Sequence, residues 1–182
     1  QRQMCIRDSL GKFQSAMQIR RSSRLNCFNS VAVGYPVGLI IDGEKGNTVE
    51  QAQEGIINLQ NIWFAGMTVT GSDANKVYDD VLYDAVNKTI IDAGQESYSS
   101  SFFKAQKGNK VLADMNELNF KDGRGIGVNY MPNANSPVLT AASFDNALLD
   151  NGFDKVDYIG AFGINDNWLD GWTNFDPNNT DY

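Results

Sequence analysis

With 182 residues, 42% of them hydrophobic and 20% charged, the chain has the size and composition of one globular domain with a buried core, which excludes an isolated peptide and a disulfide-held scaffold. Fifteen Lys and Arg against 22 Asp and Glu leave a net charge of −7, the wrong sign for gripping a phosphate backbone, so nucleic acid is not an expected partner; no stretch approaches the ~20 apolar residues of a membrane span. Histidine is absent, and with it go Ser-His-Asp and Cys-His nucleophile activation, His-ligated zinc and imidazole acid–base catalysis.

Residues 1–9, Gln-Arg-Gln-Met-Cys-Ile-Arg-Asp-Ser, resemble the translated read-through of a sequencing adapter and are set apart from the fold. Without them Cys27 is the one remaining cysteine, so no internal disulfide is expected. The natural N-terminus is expected to lie upstream, so the sequence is silent on a signal peptide or lipid anchor. From residue 10 to 71 short β-favouring runs alternate with turn residues. Ala16 to Arg20 alternates in polarity, Leu25 to Val33 and Val37 to Ile41 are apolar and β-branched, and Ile56 to Ala65 closes with aromatics. Two of these runs repeat. Leu25 to Gly34 overlays Ile57 to Gly66 at an offset of 32, matching Asn26 with Asn58 and Asn29 with Asn61, and Ala16 to Arg20 overlays Gly38 to Asp42 at an offset of 22. The second pass carries the longer loop, over 43–55. A period of 20 to 30 residues built from short strands is the mark of a solenoid whose turns stack, with asparagine amides bonding from one coil to the next. Cys27, opposite Leu59, is expected to face the core.

The segment 72–106 changes period. Ser72 or Asp73 caps an expected helix in which Val77, Val81, Leu82, Ala85, Val86 and Ile90 share one face and which Gly94 stops. Asp79, Asp80 and Asp84 fall mostly on its solvated side, and Tyr98 to Ala105 forms a second, short helix. The segment 107–182 is rich in Gly, Asn and Pro and ends in aromatics; it reads as an irregular cap folded by its aromatic side chains. Within it Gly123-Arg124-Gly125-Ile126-Gly127 lacks the Gly-x-Gly-x-x-Gly spacing of a nucleotide loop and reads as a plain loop.

Several of these runs carry a resemblance. Ala16-Met17-Gln18-Ile19-Arg20-Arg21, Asn29-Ser30, and Gly34-Tyr35-Pro36-Val37-Gly38-Leu39-Ile40-Ile41-Asp42-Gly43 resemble the closing coils of a family of right-handed parallel β-helix proteins. These are secreted or cell-surface proteins of Gram-negative bacteria, many of them lipoproteins or proteins without an assigned activity. Ala142-Ser143-Phe144, Tyr158-Ile159-Gly160-Ala161-Phe162-Gly163 and Trp168-Leu169-Asp170-Gly171-Trp172-Thr173-Asn174-Phe175-Asp176-Pro177 resemble the family's ending. The resemblance implies a mainly β fold: the last coils of a right-handed parallel β-helix, with a helical insertion and an irregular aromatic-rich cap. It also implies that the chain is the C-terminal part of a longer protein, with an extracellular or outer-membrane surface location, and it transfers no catalytic residue.

The chemistry open to such a chain is limited. Parallel β-helices that cleave acidic polysaccharides use Asp-bound calcium and an Arg or Lys base, which brings Arg20, Arg21, Arg24 and Asp42 forward. Their plainer role is an ion pair between stacked strands. Asp166, Asp170 and Asp176 lack the spacing of a calcium loop, so no cofactor is expected. Trp168 and Trp172 are candidates for stacking on sugar rings, in competition with sealing the end of the solenoid. Asp154 and Asp157 make no glycosidase pair from sequence, because the carboxyl separation that decides it is three-dimensional. Two functions follow. One is a structural, adhesive or glycan-binding surface protein, with polysaccharide or envelope components as partners. The other is the end of a polysaccharide lyase or hydrolase whose active site lies mainly upstream.

Overall fold

The computed structural model describes residues 15–73, 77–78, 81–84, 89–92, 96–122, 129–169, 171, 173–174 and 177–179. Its first half is made of β1 (Ser15–Arg20), β2 (Asn26–Val33), β3 (Val37–Asp42), helix α1 (Thr48–Gln53), β4 (Asn58–Ala65) and β5 (Val69–Asp73). Strand β1 lies parallel to β3 with Met17 beside Leu39 and Arg20 beside Asp42; β2 lies parallel to β4 with Asn26 beside Asn58 and Cys27 beside Leu59. The offsets of 22 and 32 seen in the sequence are therefore strand registers, and α1 occupies the longer loop of the second pass. Ile19, Leu39 and Ile41 from one sheet and Leu59, Ile62 and Phe64 from the other form one buried cluster. Cys27 packs against this cluster while remaining half-buried. The inner strand β3 is buried along its whole length, as β-branched and apolar residues with neighbours on both sides must be.

The β-helix end expected from the sequence is not the fold that results. The larger sheet has the order β1-β3-β5-β6-β7-β8, where β6 (Val77–Tyr78), β7 (Val81–Asp84) and β8 (Thr89–Asp92) follow β5. It is parallel through β5 and antiparallel from there on. The second sheet, β2-β4-β9, is parallel and takes β9 from Lys110–Leu112; β10 (Phe120–Asp122) and β11 (Asn129–Pro132) form an antiparallel pair. With α1 and helix α2 (Tyr98–Ala105), this is a mixed fold of small parallel and antiparallel sheets. The physical cause lies in the connections. The first pass turns through 21–25, the second through a loop with α1, and the third, whose strands β5 and β9 still stack on β3 and β4, through antiparallel strands and α2, so the connections do not repeat.

The helix expected over Val77 to Ala93 is also absent, because strands β6 to β8 run through it, pairing Leu82 with Ile91 and Tyr83 with Ile90. Val77, Val81, Thr89, Ile90 and Ile91 are β-branched, and the same apolar residues that fit a 3.6-residue period also fit a meander. The short helix at Tyr98–Ala105 forms as expected. Its Phe103, fully buried, stacks on Phe64 at 4.2 Å and 6°. A carboxylate fixes its start: Asp73, at the end of β5, accepts from the Tyr98 and Ser99 N–H groups at 3.0 Å each. The Ser99 hydroxyl in turn accepts from Ile41 N–H and donates to the Ser72 carbonyl, tying α2 to β3 and β5.

A second cluster lies on β4 and the chain beyond it: Trp63, Ala65, Leu118, Val138 and Ile159. Among the described residues the cap packs on β4 through Leu118, Val138 and Ile159. Three short 3-10 turns in this segment start at side-chain caps, with Asp114, Ser136 and Asn146 each accepting from a backbone N–H two residues on. Phe153 and Trp168 stand 57% and 48% exposed. No helix among the described residues is long and apolar enough to cross a membrane.

Candidate binding site

The charged candidates come first. Arg20 Nε lies 3.5 Å from Asp42 Oδ2, the pairing that the parallel register imposes. Asp42 is 6% exposed, and its carboxylate is already engaged, Oδ2 by Gln18 Nε2 at 3.3 Å and Oδ1 by the Glu44 N–H at 2.9 Å. Arg21 begins the turn after β1 with φ 55° and is exposed, as is Arg24; the structure joins Arg20 to Asp42 and leaves Arg21 outside. Among the described residues there is no group of three or more acidic or cysteine side chains able to hold a metal ion. Asp170, Asp176, Trp172 and the loop 123–127 lie outside the described residues.

A different set of residues does converge. Asn29 and Asn61 occupy matched positions in β2 and β4 and both take left-handed φ, 47° and 55°; the next position in the stack is Gly108, with φ 76°. Asparagine tolerates this conformation because its short side chain bonds locally. Here the side chains bond across strands instead: Asn61 Nδ2 donates to Asn29 Oδ1 and to the Ala141 carbonyl, both at 2.6 Å. Asn29 then clasps the cap backbone, its Oδ1 accepting from Ser143 N–H and its Nδ2 donating to Ser143 O, at 2.9 Å each. A small cleft of about 70 Å³ lies between this ladder and the cap, lined by Phe28, Gln60, Asn61, Lys107, Asn146 and Leu149.

The cleft is an amide site with one aromatic ring beside it. Asn146 Nδ2 donates to Gln60 Oε1 at 3.1 Å, and Asn146 Oδ1 caps Leu148 N–H, so both residues are held in place. That leaves Gln60 Nε2 as a donor and Asn61 Oδ1 as an acceptor for a ligand. Glycine at 108 keeps the Asn61 oxygen open, since a Cβ there would lie 2.9 Å from it. Lys107, the cation at the cleft, is paired with Asp145 at 2.8 Å, both about two-thirds exposed. Hydrogen bonding to Lys107, and its charge, hold the Asp145 carboxyl below its ordinary value. The site therefore offers directed hydrogen bonds and an apolar ring, with no acid–base pair and no uncompensated charge.

A third feature stands on the cap. Tyr130 of β11, Phe162 and Trp168 stack in a column, with centroid separations of 6.0 Å and 5.6 Å and Phe162 within 9° of the Trp168 plane. Trp168 Nε1 donates to the Ala161 carbonyl at 2.9 Å, fixing the indole.

The sequence brought Asn61 forward through the repeat and Trp168 through its aromatic tail. It gave no signal for the meeting of Phe28, Gln60, Lys107 and Asn146, in which Asn146 comes from 86 residues beyond Gln60. Compared with known families, with curated proteins and with solved structures, the chain has no match in any of the three.

Proposed function

We propose that this chain is a non-catalytic carbohydrate-binding protein, secreted or held at a bacterial cell surface. The observation that carries the reading is the cleft lined by Gln60, Asn61, Asn146 and Phe28: planar amides serve sugar hydroxyls as donor and acceptor at once, and an aromatic ring meets the apolar C–H face. A polysaccharide-cleaving site would require Arg or Lys and several carboxylates to converge in a groove. Here the cleft's cation is neutralised by Asp145, and Arg20 and Asp42 satisfy each other elsewhere. The secreted or surface location rests on the resemblance of residues 13–182 to surface proteins.

The test is affinity electrophoresis through gels containing neutral and acidic polysaccharides, with and without calcium, alongside an assay for reducing ends and for the ultraviolet absorbance of unsaturated products. Retardation without product formation, reduced by Gln60→Ala and unchanged by Arg20→Gln, is the expected result. Turnover abolished by Arg20→Gln or Asp42→Asn would overturn it in favour of a lyase.

A further inference from the structure

We propose that Asn151–Gly152 is a self-modifying site, at which the chain converts its own asparagine to aspartate and isoaspartate without an enzyme. The chemistry needs a free side-chain amide, a free backbone nitrogen on the next residue, and room for the two to close a five-membered ring. Asn-Gly occurs once in the sequence, at this position. Glycine crowds such a ring least, because it has no Cβ.

The fold leaves this pair open. Asn151 and Gly152 are both exposed, in the bend that follows the short turn Ala147–Leu149. Among the described residues, nothing hydrogen-bonds to the Asn151 side chain or takes the Gly152 N–H. A Cβ built at Gly152 would meet nothing within 4 Å, and its φ of 83° is one that residues with side chains avoid.

Two pairs elsewhere in the chain show what protection requires. Asn61 is held by Asn29 and the Ala141 carbonyl, and the N–H that follows it, of Ile62, donates to Asn109 Oδ1 at 2.8 Å. Asp42–Gly43 would close the same ring, but the Asp42 carboxylate accepts from Gln18 and Glu44 and pairs with Arg20. A Cβ at Gly43 would lie 2.9 Å from Val49 Cγ2, so that backbone has no room to turn.

The reaction balances with water as the one added reactant. The Gly152 nitrogen attacks Asn151 Cγ, its proton passing through solvent to Nδ2; the new C–N bond forms, the Cγ–Nδ2 bond breaks, and ammonia leaves. One water then opens the succinimide at either carbonyl. Opening at Cγ restores the main chain as aspartate, and opening at the Asn151 carbonyl carbon routes it through the side chain as isoaspartate. Each product adds one negative charge to a chain that carries −7, in a bend that already exposes Asp150 and Asp154. Isoaspartate also lengthens the main chain just beyond the turn whose Leu149 lines the cleft.

The experiment incubates the full chain in mildly alkaline buffer, folded and in denaturing urea. Residue 151 is followed by mass spectrometry of the proteolytic peptide that ends at Lys155 and by enzymatic methylation of isoaspartate. Aspartate and isoaspartate should accumulate there at rates within about threefold of each other in the two conditions, whereas Asp42 should isomerise at least about tenfold faster in urea than in the fold. Asn151→Gln should abolish the change, and Gly152→Ala should slow it about tenfold or more, in urea as well as in the folded protein. Greater protection of residue 151 by the fold, or undiminished reaction in Gly152→Ala, overturns the proposal. Equal rates for Asp42 in the two conditions would remove its structural ground.

Discussion

Asn61 is the residue whose replacement tests the architecture most directly, because one amide joins both parallel strands to the cap. Asn61→Gly keeps the left-handed backbone and removes only the side chain, so it deletes the two 2.6 Å bonds to Asn29 Oδ1 and the Ala141 carbonyl. Each such bond contributes about 1 kcal/mol net, and a carbonyl left without a donor in a buried site costs about 1–3 kcal/mol. Asn61 is 7% exposed, so water does not easily replace it; a loss of about 2–3 kcal/mol follows. Asn61→Ala suffers the same loss and adds about 1 kcal/mol for a Cβ at φ 55° with no amide to compensate. As an internal control, Asn58→Ala removes the 2.7 Å bond to Asn26 at the exposed end of the ladder and should cost no more than about 0.5 kcal/mol. Urea unfolding, with the slope required to stay constant, gives the three differences, and the Asn61→Gly midpoint on heating should fall by about 4–10 °C. An Asn61→Gly protein as stable as the unaltered one would refute the claim that the ladder anchors the cap. Equal stabilities of the Gly and Ala variants would refute the backbone part of the account.

Other expectations follow from the same contacts. Phe103→Ala should cost about 3–5 kcal/mol by emptying the space against Phe64, while Phe103→Leu should lose chiefly the ring stacking, about 1 kcal/mol; comparable losses for both would show that α2 does not close this core. Burial pushes the Tyr98 phenol above its ordinary value of about 10, and the Asp73 carboxylate adds to this. The fold thus favours the neutral phenol, a contribution fully present below about pH 10 and lost as pH rises through the higher folded value. Melting curves should therefore show a steeper alkaline loss for the unaltered protein than for Tyr98→Phe, and parallel curves would contradict the assignment.

How far the sequence could be read depended on the range of the interaction. The parallel registers of β1 with β3 and β2 with β4 were legible because inward-facing residues and paired asparagines repeat at fixed offsets, a pattern that only stacked strands require. The helix α2 was legible because Ser97, Phe102 and Phe103 encode cap and apolar face within one short stretch. Residues 77–92 were not, since Val77, Val81, Leu82 and Ile90 satisfy a helical period and a meander equally, and only pairing to β5 decides. The β-helix expectation erred in the connections: β5 and β9 still stack on β3 and β4, but the chain between them is built from antiparallel strands and a helix. The cleft was invisible for a related reason: Phe28, Gln60 and Asn146 are brought together by bonds such as that from Asn29 to Ser143, which span 114 residues.

That span also sets an order of assembly. Stacking β4 on β2 closes a loop of 32 residues, whereas seating Ser143 on Asn29 closes one of 114, and the difference amounts to about 1 kcal/mol of extra closure entropy before any contact is gained. The cap must also find an Asn29–Asn61 pair that exists only after the strands have stacked. Sheets and α2 therefore form first and the cap closes last; by the same logic the cap is the first part to detach, so the cleft is the last feature to appear and the first to be lost during fluctuations. A ligand held between Gln60 and Asn146 would act as a clasp across that joint, slowing the detachment of the cap without touching the core beneath it.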